Sequence, residues 1–181
     1  MSRIPQVNPA ATTPERQALL SAIHQAFGAT PAMFKTVAQS PAALKMMWGA
    51  FGALGSGVIE PKLGEQIAVA VADRNGCEYC LAAHTALGRK AGASAAEMAA
   101  AQAGESADPK TNAALRFALK LVDARGQVGD TDVQALRAAG FDDGQVVEIL
   151  AHVALNLFTN YVNVAFAVPV DFPAVPLRRT A

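Results

Sequence analysis

Three features of this sequence predict an all-α protein. Of its 181 residues 40 are alanine and only 11 aromatic, prolines stand where helices can begin, and the segments they open carry apolar residues at helical spacing. Alanine is the strongest helix former, and strands favour aromatic and β-branched residues, so the composition argues against an all-β fold. The punctuation gives eight or nine helices.

Proline is tolerated at a first helical position, where its missing N–H costs nothing, and a preceding Ser, Thr or Asp can cap the open amides. Thr13-Pro14, Thr30-Pro31, Ser40-Pro41 and Asp108-Pro109 follow this rule, and Glu60-Pro61 follows it with a poorer cap. Ser94 with Glu97 three residues on forms a capping box. Gly28, Gly57, Gly92, Gly126 and Gly140 each follow a periodic segment and are expected to end it in the left-handed conformation. After Pro41 the residues Leu44, Met47, Trp48, Phe51 and Leu54 repeat along one helical face, read either as core or as the wall of an apolar pocket. Asn75-Gly76 breaks the chain before a helix running from about Cys77 to Ala91, and a terminal helix spans about 143–168.

The length suits a single domain, 1–181, with Gly104 to Pro109 as its one soft joint. Fifteen basic residues balance fifteen acidic ones, which leaves no footprint for nucleic acid or an acidic membrane surface. The amino terminus lacks the apolar run of a signal peptide, no 18-residue apolar stretch is expected anywhere, and the reading is of a soluble cytoplasmic protein. Two cysteines cannot staple a secreted domain of this size. Both lie in Cys77-Glu78-Tyr79-Cys80, which points to a local redox or metal pair.

In the first turn of a helix, unpaired amides and the positive end of the dipole favour a thiolate over a thiol. The three-residue spacing lets the second sulfur capture an oxidised intermediate on the first. Cys77, Cys80, Leu81, His84, Leu87, Gly88 and Ala91 share one arc, so His84 sits one turn below Cys80, where an imidazole can take the thiol proton or hold a positive charge beside the thiolate. In the preceding helix Glu65 lies among Ala68, Val69 and Ala72, opposite the main stripe of Leu63, Ile67, Ala70 and Val71. A carboxylate so placed needs a partner, and His84 is the expected one.

Glu65, then Cys77-x-x-Cys80 after twelve positions, then His84 four further on, resembles the core motif of the alkylhydroperoxidase D and carboxymuconolactone decarboxylase superfamily. The motif covers about residues 60–92, and the helical setting and Asn-rich terminal helix resemble the peroxidase-related branch. The resemblance implies the all-α alkylhydroperoxidase-like fold, assembly as a dimer, trimer or hexamer, and a proton relay through which Glu65 and His84 serve the cysteine pair. It makes Cys80 the attacking thiol and Cys77 the resolving one. A hydroperoxide is then the substrate and a dithiol the reductant, in characterised relatives a lipoyl-bearing protein, with no metal or organic cofactor. One departure is Tyr79, where the well-known alkylhydroperoxidases carry a histidine; a neutral phenol does not relay protons near pH 7.

On the terminal helix Glu148, His152, Asn156, Asn160 and Asn163 form one polar stripe on an otherwise apolar helix. It is expected to satisfy neighbouring backbone, to contact another subunit, or, through His152 and Asn156, to stand behind the cysteines as Tyr79 does. His24 has no motif partner and is read as surface or packing. The leading function is thiol-dependent hydroperoxide reduction. The alternatives are a general dithiol–disulfide oxidoreductase, a redox sensor, and, further off, a carboxymuconolactone decarboxylase-type enzyme, which needs no thiol. Zinc is disfavoured because only Cys77, Cys80 and His84 are at hand where a structural site takes four ligands.

Overall fold

The computed structural model describes residues 2–178. Among the described residues there are nine helices and no strand: α1 (Pro14–Phe27), α2 (Ala32–Val37), α3 (Pro41–Gly55), α4 (Pro61–Arg74), α5 (Glu78–Lys90), α6 (Ala95–Gln102), α7 (Pro109–Asp123), α8 (Asp130–Ala138) and α9 (Asp143–Phe166).

The capping side chains behave as their chemistry dictates. Ser40, Ser94 and Asp108 accept the backbone N–H groups of Ala43, Glu97 and Thr111, and Glu97 accepts the N–H of Ser94 in return at 2.7 Å. Each such cap contributes about 1 kcal/mol. Two starts differ from expectation. Thr13 makes no side-chain cap, and α2 begins after Pro31, which stays extended at ψ 152° as the N-cap. The Thr30 hydroxyl is instead 3.3 Å from Nδ1 of the exposed His24.

Of the expected glycine stops, Gly28, Gly92, Gly126 and Gly140 have positive φ, and Gly57 does not. α3 ends two residues earlier, with Ser56 as its C-cap. Gly57 serves a close approach: a Cβ there would collide with the Glu148 carboxylate, which accepts the N–H groups of Val58 at 3.0 Å and Ile59 at 2.8 Å. The segment between Gly104 and Pro109 is tied by the Asn112 side chain, which accepts the Ser106 N–H.

α4 is the central helix and packs against α5, α6, α7 and α9. Every residue from Gln66 to Asp73 is buried, which explains its two apolar faces. Each buried aliphatic side chain, such as Ile67, Val69 and Val71 at 0% exposure, contributes about 1.5–3 kcal/mol. Gly88 lets α5 close onto α4 and α6, since a Cβ at that position would stand 2.5 Å from Met98 Cε and 3.3 Å from Glu65 Cβ.

α9 is capped by Asp142 through Gln145 and buries Ile149, Val153, Asn156, Thr159, Asn160, Val162 and Asn163. An 18-residue window of it reaches a mean hydropathy of 1.3, contrary to the expectation that no such stretch exists. The three asparagines lie on its inner side, so the window is a helix-packing element with polar groups engaged by the protein. The tail then returns over α5 and α2: Val168 donates to Asn163 O, Asp171 accepts the Ala32 N–H, and Asp73 accepts the Arg178 N–H.

Candidate functional site

Cys77 is the N-cap of α5 (φ −95°, ψ 91°), and its sulfur accepts the Cys80 N–H at 3.4 Å, the place a Ser or Asp side chain takes at other caps. Both cysteines stand as free thiols in the structure and are nearly inaccessible, at 1% and 2% residue exposure. Cys80 Sγ accepts the Asn163 amide at 3.2 Å and lies 3.9 Å from Thr159 Oγ1. Asn163 Nδ2 also reaches Met33 Sδ at 3.3 Å.

The two thiols are driven apart in acidity. A hydrogen bond from the Cys77 thiol, opposed by burial and aided by the positive charge of His84 and the Asn163 and Asn160 amides, holds Cys80 below the ordinary thiol range. Donating that proton, together with burial and the negative charge of Cys80, pushes Cys77 well up. The helix terminus favours a thiolate at either position, and the neighbouring donors select Cys80.

His84 Nδ1 meets Glu65 Oε2 at 2.7 Å, the pairing expected from their helical faces, with side-chain exposures of 14% and 23%. Burial would lower the imidazole pKa, but the Glu65 charge and hydrogen bond, with the Cys80 charge behind them, raise it instead. Among the described residues His84 makes no hydrogen bond to either sulfur, so it acts on Cys80 through its charge.

Two clefts meet at this histidine. One, of about 210 Å³, is lined by Glu65, His152, Asn156 and Leu155; the other, of about 70 Å³, by Tyr79, Cys80, Phe27, Phe34, Leu87 and Phe172. His84, Phe51 and Thr159 line both and form the partition between them. Cys77 opens elsewhere, onto a surface cleft beside Asn163 and Val168. Of the α3 stripe, Leu44 and Met47 are core, whereas Phe51 and Leu54 line a cleft.

The polar stripe of α9 faces inward, toward neighbouring groups. Glu148 binds loop amides, Asn160 accepts from Asn75 at 2.9 Å, and Asn156 donates to His152 O at 2.9 Å. His152 Nε2 and Asn156 Oδ1 are buried at the wall of the larger cleft with no hydrogen-bond partner among the described residues, and burial lowers the His152 pKa. Tyr79 points elsewhere: its hydroxyl donates to Asp171 at 2.7 Å. Asn163 and Thr159, the α9 groups nearest Cys80, were not singled out by the motif; only their place on or beside the polar stripe marked them.

Residues 41–124 match the carboxymuconolactone decarboxylase family. No functionally curated sequence matches the chain. A peroxidase-related protein with an alkylhydroperoxidase core, from Ralstonia eutropha JMP134, is similar over 94% of this chain and 92% of its own, at 26% identity and a TM-score of 0.85. A peroxidase-related protein from Silicibacter sp. TM1040 is similar over 93% and 91%, at 25% identity and a TM-score of 0.81. The debrominase Bmp8 shares the fold at 20% identity, with a TM-score of 0.74 over 87% of each chain. The family match covers Glu65, both cysteines and His84, and the fold is shared almost end to end with peroxidase-related proteins; together these support placing the chain in the alkylhydroperoxidase D and carboxymuconolactone decarboxylase superfamily.

Proposed function

We propose that the protein reduces hydroperoxides through its cysteine pair, an antioxidant activity. The observation that carries this reading is the arrangement at the first turn of α5, where Cys77 caps the helix beside Cys80, the Asn163 amide meets the Cys80 sulfur at 3.2 Å, and His84, one turn along, pairs with Glu65 at 2.7 Å; these surroundings favour the thiolate at Cys80 over Cys77. Cys80 attacks the terminal peroxide oxygen and the O–O bond breaks. The sulfur is oxidised to sulfenic acid, and the leaving alkoxide takes up a proton and departs as an alcohol, or as water from hydrogen peroxide. Cys77 sulfur then displaces the sulfenic hydroxyl, which leaves as water with the Cys77 proton, and the disulfide closes. An external dithiol returns both electrons by exchange. By resemblance that reductant is a lipoyl-bearing protein, and a reducing cytoplasm is the setting that suits it. The His84–Glu65 pair supplies positive charge beside the thiolate and a store for the proton.

Burial of both sulfurs favours a small peroxide over a protein disulfide, which would have to reach an atom with almost no exposed surface. The exposed outer residues of α9, Val147, Leu150, Tyr161 and Val164, form an apolar band suited to a homo-oligomer contact.

Hydroperoxide consumption with excess dithiol is the test. Turnover is expected in the native protein and not in Cys80→Ser; equal turnover in that variant would sink the assignment.

A further inference from the structure

Tyr79 occupies the position between the two cysteines, yet it is turned away from the Glu65–His84 pair and toward the tail. Its hydroxyl and the Ala32 N–H both donate to Asp171 Oδ2, at 2.7 and 2.6 Å. One carboxylate oxygen therefore joins three elements: the redox turn of α5, the start of α2, and the returning tail. Tyr79 is 4% exposed, and burial, with the adjoining Asp171 carboxylate, raises its pKa, so it stays a hydrogen-bond donor throughout the neutral range. The next tail residue, Phe172, stacks edge-on against the Tyr79 ring at 5.8 Å between centroids and 88° between planes. Phe172 also lines the Cys80 cleft, together with side chains contributed by α1, α2 and α3. Further along, Gln102 donates to Pro176 O and Asp73 accepts the Arg178 N–H. Between Val168 and Pro176 the Asp171 carboxylate is the tail's polar side-chain anchor.

We infer that Tyr79 and Asp171 form a latch that holds the tail across the Cys80 cleft, making Phe172 a specificity-determining residue that limits the size of the molecule reaching the Cys80 sulfur. Tyr79 and Asp171 are positioning residues acting through Phe172. The inference rests on Cys80 being the attacking thiol, but access to its sulfur can be read without any peroxide turnover.

The experiment compares alkylation of reduced protein by iodoacetamide and by the bulkier N-(1-pyrenyl)maleimide, with adducts at Cys80 assigned by peptide fragmentation. In Phe172→Ala the rate ratio of bulky to small reagent is expected to rise about tenfold or more, the scale on which pockets discriminate size. Asp171→Asn and Tyr79→Phe are expected to raise it by smaller amounts while iodoacetamide reacts as before. Thermal melts identify any variant that fails to fold, and the ratio is then decided by the remaining ones. A ratio unchanged in the folded variants overturns the latch, whatever the protein does with peroxides. Loss of peroxide turnover in native protein with the ratio responding as expected would instead overturn the proposed activity and leave the latch standing.

Discussion

Asn163, near the end of α9, directs its side-chain amide at the sulfur of Cys80, on the first turn of α5, from 3.2 Å. The two residues are 83 positions apart in the chain, and their meeting gives the thiolate a donor that no local motif supplies. A hydrogen bond to a charged group contributes about 1.5–3 kcal/mol, equivalent to about one to two pKa units. Asn163→Ala is therefore expected to raise the Cys80 pKa by about that much. The pH dependence of Cys80 alkylation measures it, and a midpoint that does not move would remove Asn163 from the site.

In the native protein the same titration should have its midpoint far below that of an ordinary thiol at about 8.5, since Cys80 is pushed down to about 6. Reactivity is then complete at neutral pH and falls only as the solution is acidified through that value. A midpoint near 8.5 would contradict the assignment of the thiolate to Cys80.

Replacing Glu65 by Gln removes the charge that keeps His84 protonated against burial. The imidazole pKa is expected to fall, and the Cys80 pKa to rise as it loses the adjacent positive charge. The folded-state pKa of His84 lies above its unfolded value, so the stability this pair contributes is complete below about pH 6.5 and is lost as pH rises through the folded value. The melting-temperature deficit of Glu65→Gln should accordingly shrink as the solution is made more alkaline; a deficit that widens would reverse the proposed coupling.

Cys77→Ser keeps a donor beside Cys80 but cannot close a disulfide. After one equivalent of hydroperoxide this variant is expected to accumulate sulfenic acid at Cys80, trapped by dimedone and located by mass spectrometry, whereas the native protein yields the disulfide. Trapping at Cys77 in a Cys80→Ser protein, with none at Cys80 in Cys77→Ser, would exchange the two roles.

Gly88→Ala sets two effects against each other. Relief of the glycine penalty in a helix favours alanine by about 1 kcal/mol. Overpacking against Met98 and Glu65 costs about 1–3 kcal/mol, and the 3.3 Å approach to Glu65 Cβ leaves a helix to be displaced along with the flexible methionine. Net destabilisation in urea is expected, and a gain in stability would show that α4 and α5 can separate freely.

Most helix boundaries could be read from sequence because they depend on local chemistry: Pro41, Pro61 and Pro109 can begin a helix, and Ser94 with Glu97 can close a capping box. The Glu65–His84 pair was legible for a related reason, since a carboxylate stranded among alanines and valines requires a partner and the C-x-x-C helix offered one. Gly57 misled because a glycine serving a close approach and a glycine serving a left-handed cap look alike until the Glu148 carboxylate is in place. Asn163 and Thr159 were obscured by register, since a period of three or four residues gives a face without giving its height against α5. The two clefts divided by His84 likewise arise from how six helices, α1 to α5 and α9, come together. Tyr79 was seen as a departure from the familiar motif, but its Asp171 partner lies 92 residues away.

In the proposed reaction the coupling between the Cys77 and Cys80 thiols would also order events in time. While Cys80 is a thiolate, it keeps the neighbouring proton in place and its partner inert. Oxidation of Cys80 removes that negative charge, and with it much of what made Cys77 a weak acid. In the proposed reaction Cys77 would thus be released as the resolving sulfur by the very event it must answer, so that the two chemical steps would follow one another within a single helix turn.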